Sequence, residues 1–229
     1  RIVNGLKELH IDMAQVEGIF ISHEHSDHIA GLQQLLKRFD IPVYTKQRTW
    51  REIQDKLVVP KNQLIELTKG SLTLGNLIVE PFAVSHDAAD PIGINVFSGK
   101  DKATVVTDTG IISDDILHRI DDSTLLVLEA NYDPHMLRFG PYQPFLKQRV
   151  ASDKGHLSNE MAAQALLMMK RPDFMQVILA HRSENNNNAV LVTQTIGKML
   201  VDGGVRIGSE MKLQHGQPNE IVSMQSIKR

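Results

Sequence analysis

His23-Glu24-His25-Ser26-Asp27-His28 follows directly on the apolar run Gly18-Ile19-Phe20-Ile21. Three imidazoles and two carboxylates thus stand at the corner where a strand gives way to a helix. A solvated histidine-rich turn is the plain alternative, but it gives no reason for gathering metal-capable side chains at such a corner. The spacing suits two ions better than one. If the chain stays extended through Ser22, His23 and His25 point the same way and share one cation. Asp27 and His28 come after the bend, at the start of a helix with apolar positions Ile29, Leu32, Leu35, Leu36 and Phe39, and aim at a second point nearby. Imidazole with carboxylate suits Zn²⁺ first and tolerates Mn²⁺ or Fe²⁺; two such ions a few ångströms apart form a template for displacement at phosphorus or attack on a carbonyl.

Working outward, runs rich in Val, Ile and Leu predict strands at 18–22, 42–45, 63–67, 77–84, 92–98, 103–107, 124–129 and 176–180. Helical spacing predicts helices at 28–39, 46–57, 113–120, 158–170 and 189–201. The alternation is that of an α/β protein, yet the middle strands follow one another directly, so a mixed-sheet sandwich covered by helices is expected. His86, Asp108 and His181 each stand just past the end of an apolar strand, where ligands collect in layered α/β folds. One such residue would be an ordinary boundary residue; three of them beside the hexapeptide imply one site. Glu129 closes another strand, and His156 precedes Ser158, a candidate N-cap. A carboxylate beside an imidazole can act as a general-acid pair or merely tie down a loop.

The 229 residues, 41% hydrophobic and 23% charged, suffice for one sizeable core, and residues 1–229 are expected to form a single domain. No cysteine is present, which excludes disulfides, thiolate zinc sites and thiol nucleophiles. A net charge of −2 argues against a broad basic surface, although bound cations would supply local positive charge for a polyanionic substrate. No apolar run is long enough for a membrane span and no signal pattern opens the chain, so a cytoplasmic protein without a membrane partner is expected.

The order His23, His25, Asp27, His28, His86, Asp108, His181 resembles the metallo-β-lactamase-fold hydrolases. The stretches Ile21-Ser22-His23-Glu24-His25-Ser26-Asp27-His28-Ile29-Ala30-Gly31-Leu32, Ser85-His86-Asp87-Ala88-Ala89-Asp90-Pro91-Ile92-Gly93, Leu126-Val127-Leu128-Glu129-Ala130-Asn131 and Lys154-Gly155-His156-Leu157-Ser158-Asn159-Glu160 are similar to its WalJ/YycJ/VicX branch, related to tRNase Z and phosphodiesterase members. The resemblance implies an αββα sandwich. It implies that His23, His25 and His86 hold one metal, that Asp27, His28 and His181 hold the other, and that Asp108 bridges them. Glu129 and His156 resemble the pair that the tRNA-processing and phosphodiesterase relatives place near the leaving group. Such folds open with about three further strands, so this span is expected to lack the first N-terminal strands and to expose a sheet edge.

The implied activity is hydrolysis of phosphodiesters by a hydroxide shared between two ions, in a DNA exonuclease or phosphodiesterase, with DNA favoured over RNA as the substrate. Asp27 would orient the nucleophile and His156, set by Glu129, would protonate the departing alkoxide. Tyr142, Lys147, Arg149 and Arg182 are candidate substrate contacts, the segment 140–149 combining aromatics that can stack on a base with cations suited to phosphates; the same segment reads equally as a Pro-rich surface loop. Asp87 and Asp90 are candidates for supporting His86. His10, His118, His135 and His215 read as surface residues, and Trp50 as helix packing. A thioesterase or lactonase on the same fold, or a regulatory protein stabilised by its metals, are the competing functions.

Overall fold

Short runs of β-branched and apolar residues give the strands of two sheets, and amphipathic helices cover the outer face of each. The computed structural model describes residues 1–68, 70–218 and 220–222. After helix α1 (Ile2–Glu8), strand β1 (Ile19–Phe20) leads into α2 (Ser26–Ile29), α3 (Leu32–Leu36), β2 (Val43–Thr45), α4 (Gln47–Lys56) and β3 (Leu64–Glu66). These strands form a parallel sheet in the order β1-β2-β3. Alternation along β2 divides its side chains: Val43 joins Trp50, Ile53, Leu32 and Leu36 beneath the helices, whereas Tyr44 turns to the other sheet and stacks on Phe20 with ring centroids 4.9 Å apart.

The second sheet carries β4 (Leu72–Leu74), β5 (Leu77–Ala83), β6 (Ile92–Ser98), β7 (Asp101–Val106), β8 (Leu125–Glu129), β9 (Met175–Ala180) and β10 (Met211–His215), seven strands in the order β10-β9-β8-β7-β6-β5-β4. The hairpins β4–β5–β6–β7 are antiparallel, and β7 through β10 run parallel. Two antiparallel steps restore direction, so β5, β7, β8 and β9 all end at the same edge of the sheet. Leu126 and Leu128 of β8, with Val177 and Leu179 of β9, bury one face against α5 (Asp114–Ile120), α8 (Asn159–Met168) and α9 (Ala189–Asp202). Tyr44, Leu67 and Ile92 fill the space between the sheets. The layers are therefore helix, sheet, sheet, helix, the expected αββα sandwich.

Several expected elements differ in detail. The helix expected over 28–39 is divided, because Gly31 stands between α2 and α3 as the N-cap of the latter. The strand over 18–22 shrinks to Ile19–Phe20. The segment 140–149 is not a loop throughout: Asp133 caps α6 (Pro134–Phe139), and Pro144 opens α7 (Pro144–Val150) at its first turn. The edge strands β4 and β10 were not anticipated.

Candidate metal centre and proton donor

The hexapeptide leaves β1 in an extended conformation and then turns, with His25 at the N-cap of α2. Ser22 holds the turn, its Oγ lying 3.1 Å from His23 Nδ1 and 3.3 Å from His28 Nδ1. Glu24 is buried beneath the loop and accepts a hydrogen bond from the Ala89 amide at 2.8 Å. This ties the hexapeptide to the loop that carries His86.

His86, Asp108 and His181 follow β5, β7 and β9 at the common sheet edge. Asp108 and His181 both take left-handed backbone conformations, with φ of +58° and +51°. Each costs about 1 kcal/mol or more for a non-glycine residue, and the turn so made swings the side chain back over the strand ends. His86 lies 3.3 Å from His25 through Nε2 and Nδ1, and its own Nδ1 donates to the Gly155 carbonyl at 3.0 Å. At Nδ1 the support of His86 is thus a backbone carbonyl, while Asp87 Oδ1 lies 3.5 Å from its Nε2. Asp87 also pairs with Arg149.

The potential ligand atoms of His23, His25 and His86 all lie within 4.8 Å of one another, as do those of Asp27, His28 and His181. Asp108 stands between the two groups, with Oδ2 3.4 Å from His28 Nε2 and Oδ1 3.3 Å from His181 Nε2 and 3.7 Å from His86 Nε2. His23 Nε2 and Asp108 Oδ2 are buried without a hydrogen bond. Burial, and then the neighbouring His28, press the His23 pKa down to about 3, and burial lowers that of His86. Neutral rings therefore offer their lone pairs inward. Burial works against ionisation of Asp108, yet the facing His28 and His181 hold its carboxyl well below the usual range. An unpartnered buried imidazole nitrogen and carboxylate oxygen amid clustered histidines and an ionised aspartate are the donor set of a dinuclear divalent-cation site, which these clusters fit.

Glu129 is fully buried, and every hydrogen bond it makes is an acceptance. Its Oε1 accepts from His156 Nδ1 at 2.8 Å and His181 Nδ1 at 2.7 Å, and its Oε2 from the amides of Thr109 at 3.1 Å and Leu157 at 3.2 Å. The expected Glu129–His156 pair is therefore a triad that also holds His181. Burial opposes charge on both partners of the Glu129–His181 contact. It is outweighed: Glu129 stays below its ordinary range, and the facing carboxylates of Asp27 and Glu129 push His181 up to about 10. Backbone pairing explains the juxtaposition. The Asn131 amide donates to the Leu157 carbonyl and the Asn159 amide to the Tyr132 carbonyl, both at 3.0 Å, which lays the β8 exit beside the segment carrying His156. Ser158 caps α8 through the Met161 amide. Gly155 is required here, since a Cβ at this position would meet the Val150 and Arg149 carbonyls at 2.2 and 2.3 Å.

A cleft of about 920 Å³ opens beside His156 and His181, lined among others by Tyr142, Arg149, Arg182, Asn131 and Asn185. Of the candidate substrate contacts, Tyr142, Arg149 and Arg182 reach this cleft. Lys147 does not line it, and its ammonium donates to the Arg138 carbonyl at 2.9 Å. Asn131 escaped sequence reasoning: its Nδ2 donates to the His181 carbonyl at 2.8 Å, holding the strained turn. The only signal was its place two residues after Glu129. The run 185–188 marks a helix start, with Asn186 and Asn187 buried and Asn188 capping α9. His215 is not a free surface histidine, since its Nε2 lies 2.8 Å from Thr193 Oγ1. Trp50 packs in the helical layer as expected.

Residues 4–181 match the family described as the beta-lactamase superfamily domain. The chain belongs to the metallo-β-lactamase superfamily. This superfamily member is 34% identical over 223 residues to exodeoxyribonuclease YycJ of Bacillus anthracis, across 96% of this chain and 84% of that protein. It is 30% identical over 232 residues to exodeoxyribonuclease WalJ of Streptococcus pneumoniae, across 99% of this chain and 86% of that one. The crystal structure of the metallo-β-lactamase-fold protein YhfI from Bacillus subtilis superposes with a TM-score of 0.66 at 15% identity, covering 91% of this chain and 79% of that one, and shows the shared fold. Among the described residues, no helix is long and apolar enough to cross a membrane.

Proposed function

We propose that the protein is a dinuclear metal-dependent phosphodiesterase acting on DNA, and specifically an exonuclease. The observation that carries this reading is the proton donor beside the donor cluster: His156, gripped at Nδ1 by the buried Glu129, with its ring centroid 5.0 Å from that of His86 and 5.3 Å from that of His181. A sugar alkoxide is a poor leaving group and needs a proton as it departs, whereas a thiolate does not. The similarity to exodeoxyribonucleases YycJ and WalJ supports the same substrate class.

In this proposal His23, His25 and His86 hold one cation, Asp27, His28 and His181 the other, and Asp108 faces both. Zn²⁺ is the proposed occupant, with Mn²⁺ or Fe²⁺ as functional substitutes. Bound divalent cations supply a nucleophilic water at neutral pH and positive charge against the phosphate oxygens. Asp27 is exposed to the solvent side, and its contact with His181 keeps it ionised well below the usual carboxylate range, so it accepts a hydrogen bond from the attacking water and orients it. Glu129 fixes the ring of His156, whose Nδ1–H is committed to that carboxylate, and the other ring nitrogen delivers the proton to the leaving oxygen. Arg149 and Arg182 take flanking phosphates, Tyr142 a sugar or base, and Lys147 adds positive charge nearby. The whole described chain acts as one domain, and its cysteine-free sequence suits a reducing cytoplasm.

The test is hydrolysis of end-labelled duplex DNA by protein loaded with Zn²⁺ or Mn²⁺, beside a thioester, with the His156→Ala variant in parallel. The loaded protein should release nucleotides from DNA ends and leave the thioester untouched. His156→Ala should retain its metal content and lose DNA turnover by roughly 10²- to 10⁴-fold. Thioester turnover equal to or above that on DNA, or full DNA activity in the variant, would overturn the assignment.

A further inference from the structure

The α6–α7 hairpin has a composition unlike the rest of the chain. From Pro134 to Val150 it contains no Asp or Glu but carries His135, Arg138, Lys147 and Arg149, in a protein whose net charge is −2. Its anchoring is separate from the main core: Leu137 and Val150 pack with Tyr132, Tyr142 and Leu146 in a small apolar cluster of their own. Neither phenylalanine of the hairpin takes part. Phe139 is 67% exposed and Phe145 is 71% exposed. A single exposed apolar side chain needs no explanation, but the two most apolar aromatics of one acid-free hairpin, both left in water, form a pattern.

Their placement gives the pattern a direction. Phe145 and Arg149 are four residues apart on α7 and so share a helix face, one turn from each other. Arg149 lines the cleft beside His156, and its guanidinium pairs with Asp87, next to His86. Phe139 and Met136 are three apart on α6, and the Met136 sulfur receives a hydrogen bond from Asn188, which also lines the cleft. Around Phe139, Arg138 stands 5.3 Å above the ring and His135 lies 4.6 Å away, centroid to centroid. Neither ring lines the cleft itself: Phe145 stands one helical turn from the cleft-lining Arg149, and Phe139 one turn from Met136, which Asn188 of the cleft wall contacts.

We infer that the α6–α7 hairpin is a stacking rim for unpaired nucleobases of the DNA strand entering the cleft, with Phe145 as its principal platform and Phe139 as a second. The inference rests on the nuclease reading above and extends it to how a strand end is held. Alternating aromatics and cations match a single strand, whose bases offer flat faces and whose phosphates offer charge. A fully paired duplex offers only its terminal base faces to such a rim, so single-stranded or frayed ends are the species it selects.

The test uses a single-stranded oligonucleotide with terminal 2-aminopurine, titrated by fluorescence into the metal-free protein, and the same strand hydrolysed by the loaded protein. Phe145→Ala should weaken binding about tenfold and Phe145→Trp should restore it; Phe139→Ala should weaken it about threefold. The ratio of kcat/KM on the oligonucleotide to that on bis-(p-nitrophenyl) phosphate should fall in step with the binding loss. Thermal midpoints are expected to be retained, because neither ring is packed. Equal binding by wild type and Phe145→Ala, or no recovery with Trp, overturns the rim. Quenching and its loss on substitution, with no hydrolysis by loaded wild type, supports the rim and overturns the nuclease reading alone.

Discussion

The hexapeptide loop and the strand-end residues furnish the same kinds of side chain by opposite routes. His23, His25, Asp27 and His28 are contiguous, so one local turn presents all of them, braced by Ser22 and by the buried Glu24. His86, Asp108, Glu129 and His181 come from separate strands and meet only because the second sheet is assembled in register. The β8–β9 pairing sets Glu129 opposite Ala180, and the next residue, His181, then turns onto the Glu129 carboxylate. The difference teaches where precision resides. The loop can be written in a few residues, while the other half is a property of the whole sheet, and Asp108 is the point at which the two touch.

The largest effect should therefore follow substitution at that point. Asp108→Ala is expected to lose both cations and DNA turnover by roughly 10³-fold or more, whereas His25→Ala should lose one equivalent of metal and keep the second. Elemental analysis beside turnover distinguishes them, and retention of both metals without Asp108 would break the comparison.

Metal removal should separate the halves by pH. The His23 pKa of about 3 lies below its ordinary 6.5, so the unfolded chain takes up that proton first and the metal-free protein loses stability as pH falls from about 6.5 toward 3. The His181 pKa of about 10 lies above 6.5, so its contribution is complete below 6.5 and is lost as pH rises toward 10. Urea midpoints of chelator-treated protein should thus decline on both sides of neutrality. A midpoint that rises steadily from pH 5 to pH 9 would show that His181 is not held protonated by its carboxylates.

The smallest effect concerns the loop's brace. Glu24→Gln keeps an acceptor for the Ala89 amide but removes its charge, and should cost about 1 kcal/mol of stability. Metal affinity should fall at the His23, His25 and His86 group and not at the other. An equal fall at both would mean that the hexapeptide moves as one body.

Much of this architecture was legible in the sequence because it depended on local pattern. Eight apolar runs became strands, and the near-continuous apolar character of β2 and β8 matches strands covered on both faces. What escaped depended on distance or on weak signals. Strand β10, Met211-Lys212-Leu213-Gln214-His215, alternates as a strand should, yet its charged and polar residues dilute the apolar signal at a sheet edge. Pro141 and Pro144 disguised α7, although proline is well tolerated in a first helical turn. At the site, residues at strand ends could be picked out singly, but not the sharing of Glu129 between His156 and His181, since that requires the β8–β9 register. Nor do Asp108 and His181 declare their left-handed backbones, for neither is glycine or asparagine.

Those two backbones have a consequence for how this protein would respond to laboratory selection. Glycine at either position would relax the local backbone while deleting a side chain on which the centre depends, and at 181 it would also strip the buried Glu129 of its cationic partner. A library screened only for heat resistance should therefore admit glycine at 108 sooner than at 181, yielding proteins that keep their fold and have forgotten their chemistry.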